Sequence, residues 1–152
     1  MKLAVAESCT GGLLASLLTD VEGSSHVFDR GFVVYSEDAK RTMLNVPGNL
    51  LRDPGAVSRP VAIAMAEGAL AKSRADIAIA ITGFAGAAGG GEEEGLVHHA
   101  CARRGGETLH REAHYGDTGR GPIRIECMKT AVAMLERAID QHRRPDDTSL
   151  DT

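Results

Sequence analysis

A chain of 152 residues, 43% hydrophobic and 25% charged, has the size and composition of one globular domain with its own core. Its formal net charge of −4 argues against a surface built to neutralise nucleic-acid phosphates, which depends on clustered Lys and Arg, so neither nucleic acid nor a membrane surface is an expected partner. Three cysteines, Cys9, Cys101 and Cys127, are odd in number and far apart, which suits reduced thiols better than a disulfide framework or a zinc site with paired ligands.

Lys2 to Ser8 (KLAVAES) reads as a short strand of small residues. No apolar run long enough for a signal peptide or a membrane span precedes Glu7, so a cytoplasmic protein is expected. Thr10-Gly11-Gly12 leads into GLLASLLTD, a helix ending near Asp20. Val27 to Ser36, rich in β-branched and aromatic residues, is a second strand. EDAKRTMLNVPG follows as a helix that Asn45-Val46-Pro47-Gly48 should stop, since proline cannot continue it and glycine accepts a left-handed cap. Ser58-Arg59-Pro60 has the form of an N-cap with proline in the first turn, opening an Ala-rich helix from Val61 to Arg74.

Ala75 to Gly83 is a nearly continuous apolar run, the pattern of a central strand covered on both faces. Phe84 to Gly95 is a glycine-rich, acidic loop. LVHHACARR and TLHREAHYG flank Gly105-Gly106, a two-residue turn suited to a β-hairpin. A last amphipathic helix runs from about Gly121-Pro122 to Arg144, and the polar tail PDDTSLDT is expected to fray.

This β-α-β-α-α-β-β-β-α order predicts one domain over residues 1–144, a three-layer α/β arrangement with helices on both faces of a sheet, and a tail over 145–152. The closing hairpin sets at least one strand antiparallel, so the sheet is mixed. Because an unpaired sheet edge is usually covered, a homodimer or larger homo-oligomer is expected.

The stretch AESCTGG, Ala6 to Gly12, has two readings. Its hydroxyl residues and glycines serve a strand-to-helix turn by capping free N–H groups. The same free N–H groups and helix dipole also make an anion or oxyanion site, beside which a nucleophile could attack. Ser8 and Cys9 are adjacent on a strand and point to opposite faces, and the small apolar cysteine suits the buried side. HREAH places His110, Glu112 and His114 on one strand face, open to a metal or to solvent. Nothing else with ligand spacing converges there, so no metal is expected. Arg30, Arg59 and Arg120 are candidate phosphate or substrate clamps.

AESCTGG together with FDRGFVVYSEDAK, GAVS, AEGALAKS and AIAITGFAG resembles the C-terminal domain of the competence/damage-inducible CinA proteins, a nicotinamide-nucleotide amidase domain that also occurs alone. The likeness runs from about Leu3 to Ala138. It implies an α/β/α sandwich on a five-stranded mixed sheet of order 2-1-3-4-5 with strand 4 antiparallel. It also implies a cofactor-independent deamidase that hydrolyses the carboxamide of nicotinamide mononucleotide (NMN) to nicotinate mononucleotide and ammonia. The family's catalytic serine, tyrosine and lysine fall on Ser8, Tyr35 and Lys40. The alternative is a nucleotide-binding or regulatory module that keeps the scaffold without the chemistry.

Amide hydrolysis needs an activated nucleophile, a base that later protonates the departing amine, and donors for the oxyanion. No His-Asp pair stands at a motif position, and a Ser-Lys pair is a known alternative. Lys40 lies one helical turn after Ser36, beyond the end of the second strand, at the sheet edge where open α/β sheets bind ligands. It can act as a base near neutral pH only if its pocket lowers its pKa. Thr10, Gly11 and Gly12 on the first turn, with Thr82, Gly83 and Gly86 on the second glycine-rich loop, are the expected substrate contacts, their N–H groups suited to a phosphate. That loop departs from the family pattern: Ala87-Ala88 and Glu92-Glu93-Glu94-Gly95 replace a proline and a Lys-Pro-Val insertion. The three glutamates would repel a phosphate unless they turn outward.

Overall fold

The computed structural model describes residues 1–86 and 89–144, so the tail expected to fray lies outside the described residues. Five strands run as β1 Leu3–Glu7, β2 Phe28–Val33, β3 Ile77–Gly83, β4 Leu96–Arg103 and β5 Leu109–His114. The helices are α1 Leu13–Thr19, α2 Glu37–Leu44, the single turn α3 Gly48–Leu50, α4 Arg59–Ala71 and α5 Arg120–Arg143. Ser24–His26 forms a tight helical turn before β2, and Leu51–Gly55 an irregular one after α3. The sheet order is β2-β1-β3-β4-β5, with β1 parallel to β2 and β3, and β4 antiparallel to both of its neighbours. Among the described residues no helix is long and apolar enough to cross a membrane.

Alternation along the strands gives the sheet two unlike faces. Leu3 and Val5, Ile77, Ile79 and Ile81, and Val97 and Cys101 point one way, into a core completed by Leu14 of α1 and by Ile123, Cys127, Ala131 and Leu135 of α5. The opposite face is almost all alanine: Ala4, Ala6, Ala78, Ala80, Ala100 and Ala102 lie against Val61, Met65, Ala66 and Ala69 of α4. Branched side chains stabilise the first face by about 1.5–3 kcal/mol each when fully buried. On the second, small side chains let a helix lie close, so dispersion contacts between backbones and methyl groups take over. Gly68 extends the same logic to α2: a Cβ there would stand 2.2 Å from the carbonyl oxygen of Leu44.

The caps partly follow the expected chemistry. Ser58 Oγ accepts the Val61 N–H at the start of α4, with Pro60 in the first turn. At the end of α2, however, Asn45 takes the left-handed conformation (φ 56°) and its N–H returns to the Arg41 carbonyl, so asparagine does the work expected of Gly48. The hairpin also differs from the expected two-residue turn. Residues 104–108 separate β4 from β5, because Gly105, at φ 74°, turns the chain before the strands begin to pair.

Candidate active site

The C-terminal end of β1 lies between those of β2 and β3, and Ser8 is the first residue beyond it. Its N–H is held by the Ile81 carbonyl at 3.0 Å and its own carbonyl accepts the Gly11 N–H at 3.1 Å. Glu7, fully buried on the adjacent position, governs the turn that follows. Its carboxylate accepts the Thr10 hydroxyl at 2.7 Å and the N–H groups of Leu14 and Ala15 at 2.8 and 3.0 Å. The start of α1 is therefore capped from within by an acid, which satisfies orphan donors and complements the helix dipole.

This arrangement gives three of the expected substrate contacts a part in the turn itself. Thr10 is buried with its hydroxyl committed to Glu7, and Gly11 (φ 58°) and Gly12 (φ 103°) shape the turn. None of the three lines the cleft described below. Nor are the Leu14 and Ala15 N–H groups open to an anion, since Glu7 occupies them. A second tie was not visible in the sequence: Arg124 of α5 donates from Nη2 to the Thr10 carbonyl at 2.6 Å. An acid in an otherwise apolar strand was the available signal for Glu7. Arg124 had none, because 114 residues separate it from its partner.

On the alanine face of the sheet, Lys40 reaches back from α2 toward the strand ends. Its Nζ lies 2.9 Å from Ser8 Oγ and donates to the Val34 carbonyl at 2.9 Å. The side chain is 2% exposed. Burial disfavours the ammonium and holds the Lys40 pKa below the usual lysine value, against the opposing charges of Cys9 and Glu37. A lysine that sheds its proton more readily, within hydrogen-bond reach of a serine hydroxyl, has the geometry and electrostatics of a base paired with a nucleophile.

Both groups open on a cleft of about 250 Å³ at this edge of the sheet. Tyr35, Thr82, Gly83 and Gly86 line it too. Tyr35 is 66% exposed, and its hydroxyl hydrogen-bonds neither Ser8 nor Lys40, so it stands at the rim. Thr82 donates its hydroxyl to the Ala56 carbonyl at 2.8 Å, which fixes the cleft wall after α3. Cys9 packs in the branched-residue core and also lines the cleft, so the opposite-face argument separates its packing from that of Ser8 but does not remove its sulfur from the cavity.

Of the three candidate arginines, Arg120 lines the cleft, lying against Gly86, where a Cβ would come within 3.1 Å of its guanidinium. Arg30 instead pairs with Asp29 and the Lys72 carbonyl. Of the loop acids, Glu93 pairs with His114 on β5, and none of Glu92, Glu93 and Glu94 lines the cleft. On β4 and β5, His98 Nδ1 meets His110 Nε2 at 2.9 Å, and His114 Nε2 meets Glu112 at 3.0 Å. Among the described residues no group of three or more His, Cys, Asp and Glu is arranged to hold a metal ion.

Known proteins share this architecture. The family model for the CinA C-terminal domain matches residues 1–139. A CinA-like protein of Akkermansia muciniphila is 56% identical over 110 residues, covering 71% of this chain and 27% of that protein. The nicotinamide-nucleotide amidohydrolase PncC of Escherichia coli is 49% identical over 133 residues, covering 86% of this chain and 79% of PncC. The crystal structure of the competence/damage-inducible protein CihA from Agrobacterium tumefaciens matches with a TM-score of 0.88 and 52% identity, covering 91% of this chain and 86% of that one. The chain spans about a quarter to a third of the length of the first curated relatives it matches.

Proposed function

The chain belongs to the CinA C-terminal domain family, and from that premise we propose that it is an amidohydrolase cleaving the carboxamide of NMN, with Ser8 as nucleophile and Lys40 as general base. The observation that carries the reading is the 2.9 Å contact between Ser8 Oγ and the buried Lys40 amine. The PncC name and its identity over most of the chain support the substrate. In this mechanism Ser8 Oγ attacks the carboxamide carbon as its proton passes to neutral Lys40. The resulting ammonium then gives that proton to the leaving nitrogen, and ammonia departs. Water, deprotonated by Lys40 in turn, opens the acyl-serine and releases the acid.

The oxyanion falls to the N–H of Cys9, which lines the cleft and has no backbone acceptor among the described residues. Arg120, beside the Gly86 loop, takes the phosphate, with geometry suited to a bidentate contact. Tyr35 at the rim closes over the ring. Ammonia release from NMN by the purified chain tests the reading. Ser8→Ala should lower turnover by on the order of 10⁴-fold or more while leaving the thermal midpoint near that of the wild type. Near-normal turnover in Ser8→Ala, with Cys9→Ala inactive, would transfer the nucleophile to Cys9. A wild-type chain that binds NMN without releasing ammonia would instead be a binding module.

A further inference from the structure

The end of β1 carries two reactive atoms, and the mechanism uses one. The other, the Cys9 sulfur, lines the same cleft although the residue is only 6% exposed. Behind it, fully buried on α5 in the same cluster of side chains, is Cys127, near enough that each thiol shifts the other's ionisation. The facing elements are held together close by, since Arg124, one turn earlier on α5, grips the Thr10 carbonyl. Both cysteines belong to one packed cluster of buried side chains.

The pair is electronically unequal. The hydrogen bond from Cys127 holds the Cys9 pKa below the ordinary thiol value despite burial, helped by its own N–H and by the charges of Lys40 and Arg124. Cys127, which gives the hydrogen bond, is pushed up, by that bond first and by burial second. Cys101, also buried, provides an internal contrast: burial alone pushes it up to about 12. One thiol thus reaches the cleft and ionises more readily, with a second buried in the same cluster behind it.

We propose that Cys9 is a site of oxidative modification in the cleft wall, with Cys127 as its resolving thiol and a hydroperoxide as the oxidant. The Cys9 thiolate attacks the O–O bond; an S–O bond forms, the O–O bond breaks, hydroxide or alkoxide leaves, and the sulfur is oxidised by two electrons to a sulfenic acid. The Cys127 sulfur then attacks the Cys9 sulfur. An S–S bond forms, the S–O bond breaks, and the departing hydroxide takes the Cys127 proton as water. An external dithiol reverses the step by exchange, supplying two electrons. Because bonded sulfurs stand only about 2 Å apart, closure draws Cys9 and the adjoining Ser8 main chain toward α5, away from Lys40 on the other face of the sheet.

The proposal rests on the amidase reading for its activity readout alone. The reduced protein, treated with hydrogen peroxide and then alkylated, should yield a linked peptide pair containing Cys9 and Cys127 with two hydrogens lost, while Cys101 is alkylated. NMN turnover should fall at least about tenfold and return with dithiothreitol. In Cys127→Ala the link is absent and dimedone captures Cys9 as sulfenic acid. Cys9 that stays fully alkylatable in the wild type, or Cys101 oxidising as fast, would overturn the site. A linked protein that turns over NMN at the reduced rate would overturn its effect on catalysis. If the reduced protein lacked NMN activity altogether, the amidase reading would fall while peptide mapping still decided the linkage.

Discussion

An amine buried as deeply as Lys40 gives up hydration worth several kcal/mol if it stays charged, and two hydrogen bonds to neutral oxygens recover only part of that. The lowered pKa follows from this imbalance, with the nearby negative charges of Cys9 and Glu37 limiting it. Only the neutral amine accepts the Ser8 proton, so turnover should fall as pH drops through the lowered Lys40 pKa and level off above it. Lys40→Arg keeps the charge but not the ability to lose it. That variant should lose roughly 100-fold or more in kcat, with KM for NMN much less affected. If Lys40 merely attracted the phosphate, arginine would serve well and Lys40→Ala would fail mainly in KM. Steady-state kinetics of both variants across neutrality, from about pH 6 to 9, separate the two roles. An active Lys40→Arg with the wild-type pH profile would rule out the general base.

At the scale of the element, the turn from β1 to α1 sets where Ser8 sits, and Glu7 holds that turn. Glu7→Ala would leave two buried or half-buried N–H groups and the Thr10 hydroxyl without their acceptor. A lost cap and unsatisfied donors together cost about 2 to 4 kcal/mol. For a domain of this size that lowers Tm by roughly 5 to 15 °C, which a calorimetric scan would register; an unchanged Tm would mean that α1 does not depend on the carboxylate. Glu7 also shows where the sequence was legible and where it was not. Strand alternation, the alanine-rich helix and the Ser58 cap follow local rules, so the elements could be read from local pattern. Lys40 meeting Ser8 depends on β1 and β2 being parallel neighbours, which the family likeness supplied. The Glu7 cap and the Arg124 tie join a side chain to a backbone several residues or a whole chain away, and no periodicity records such contacts.

Across the molecule, burial lowers the pKa of basic groups on both faces of the sheet, Lys40 and His98 on one and His99 on the other. His99 is fully buried on the branched-residue face, edge-on to Tyr115 at 6.2 Å, and neither ring nitrogen has a hydrogen-bond partner among the described residues. Burial lowers its pKa from 6.5 to about 4, the Arg111 main chain opposing in part and the charges of Arg111, His98 and His110 adding to the drop. The unfolded chain takes up the His99 proton as pH falls below about 6.5, whereas the folded chain refuses it until about 4. The contribution is therefore fully present above pH 6.5 and is lost progressively as pH falls toward 4. A shift of this size corresponds to about 3 kcal/mol, a large share of a typical domain's stability. His98 and His110, lowered chiefly by burial, act in the same direction, and His114, raised by Glu93 and Glu112, acts in the opposite one. All three remain in His99→Leu, so the difference between the two proteins isolates His99. Urea unfolding at a series of pH values should show wild-type stability declining more steeply than that of His99→Leu between pH 6.5 and 4, with the gap changing by about 3 kcal/mol. Parallel curves over that interval would mean that the folded protein protonates His99 as readily as the unfolded chain does.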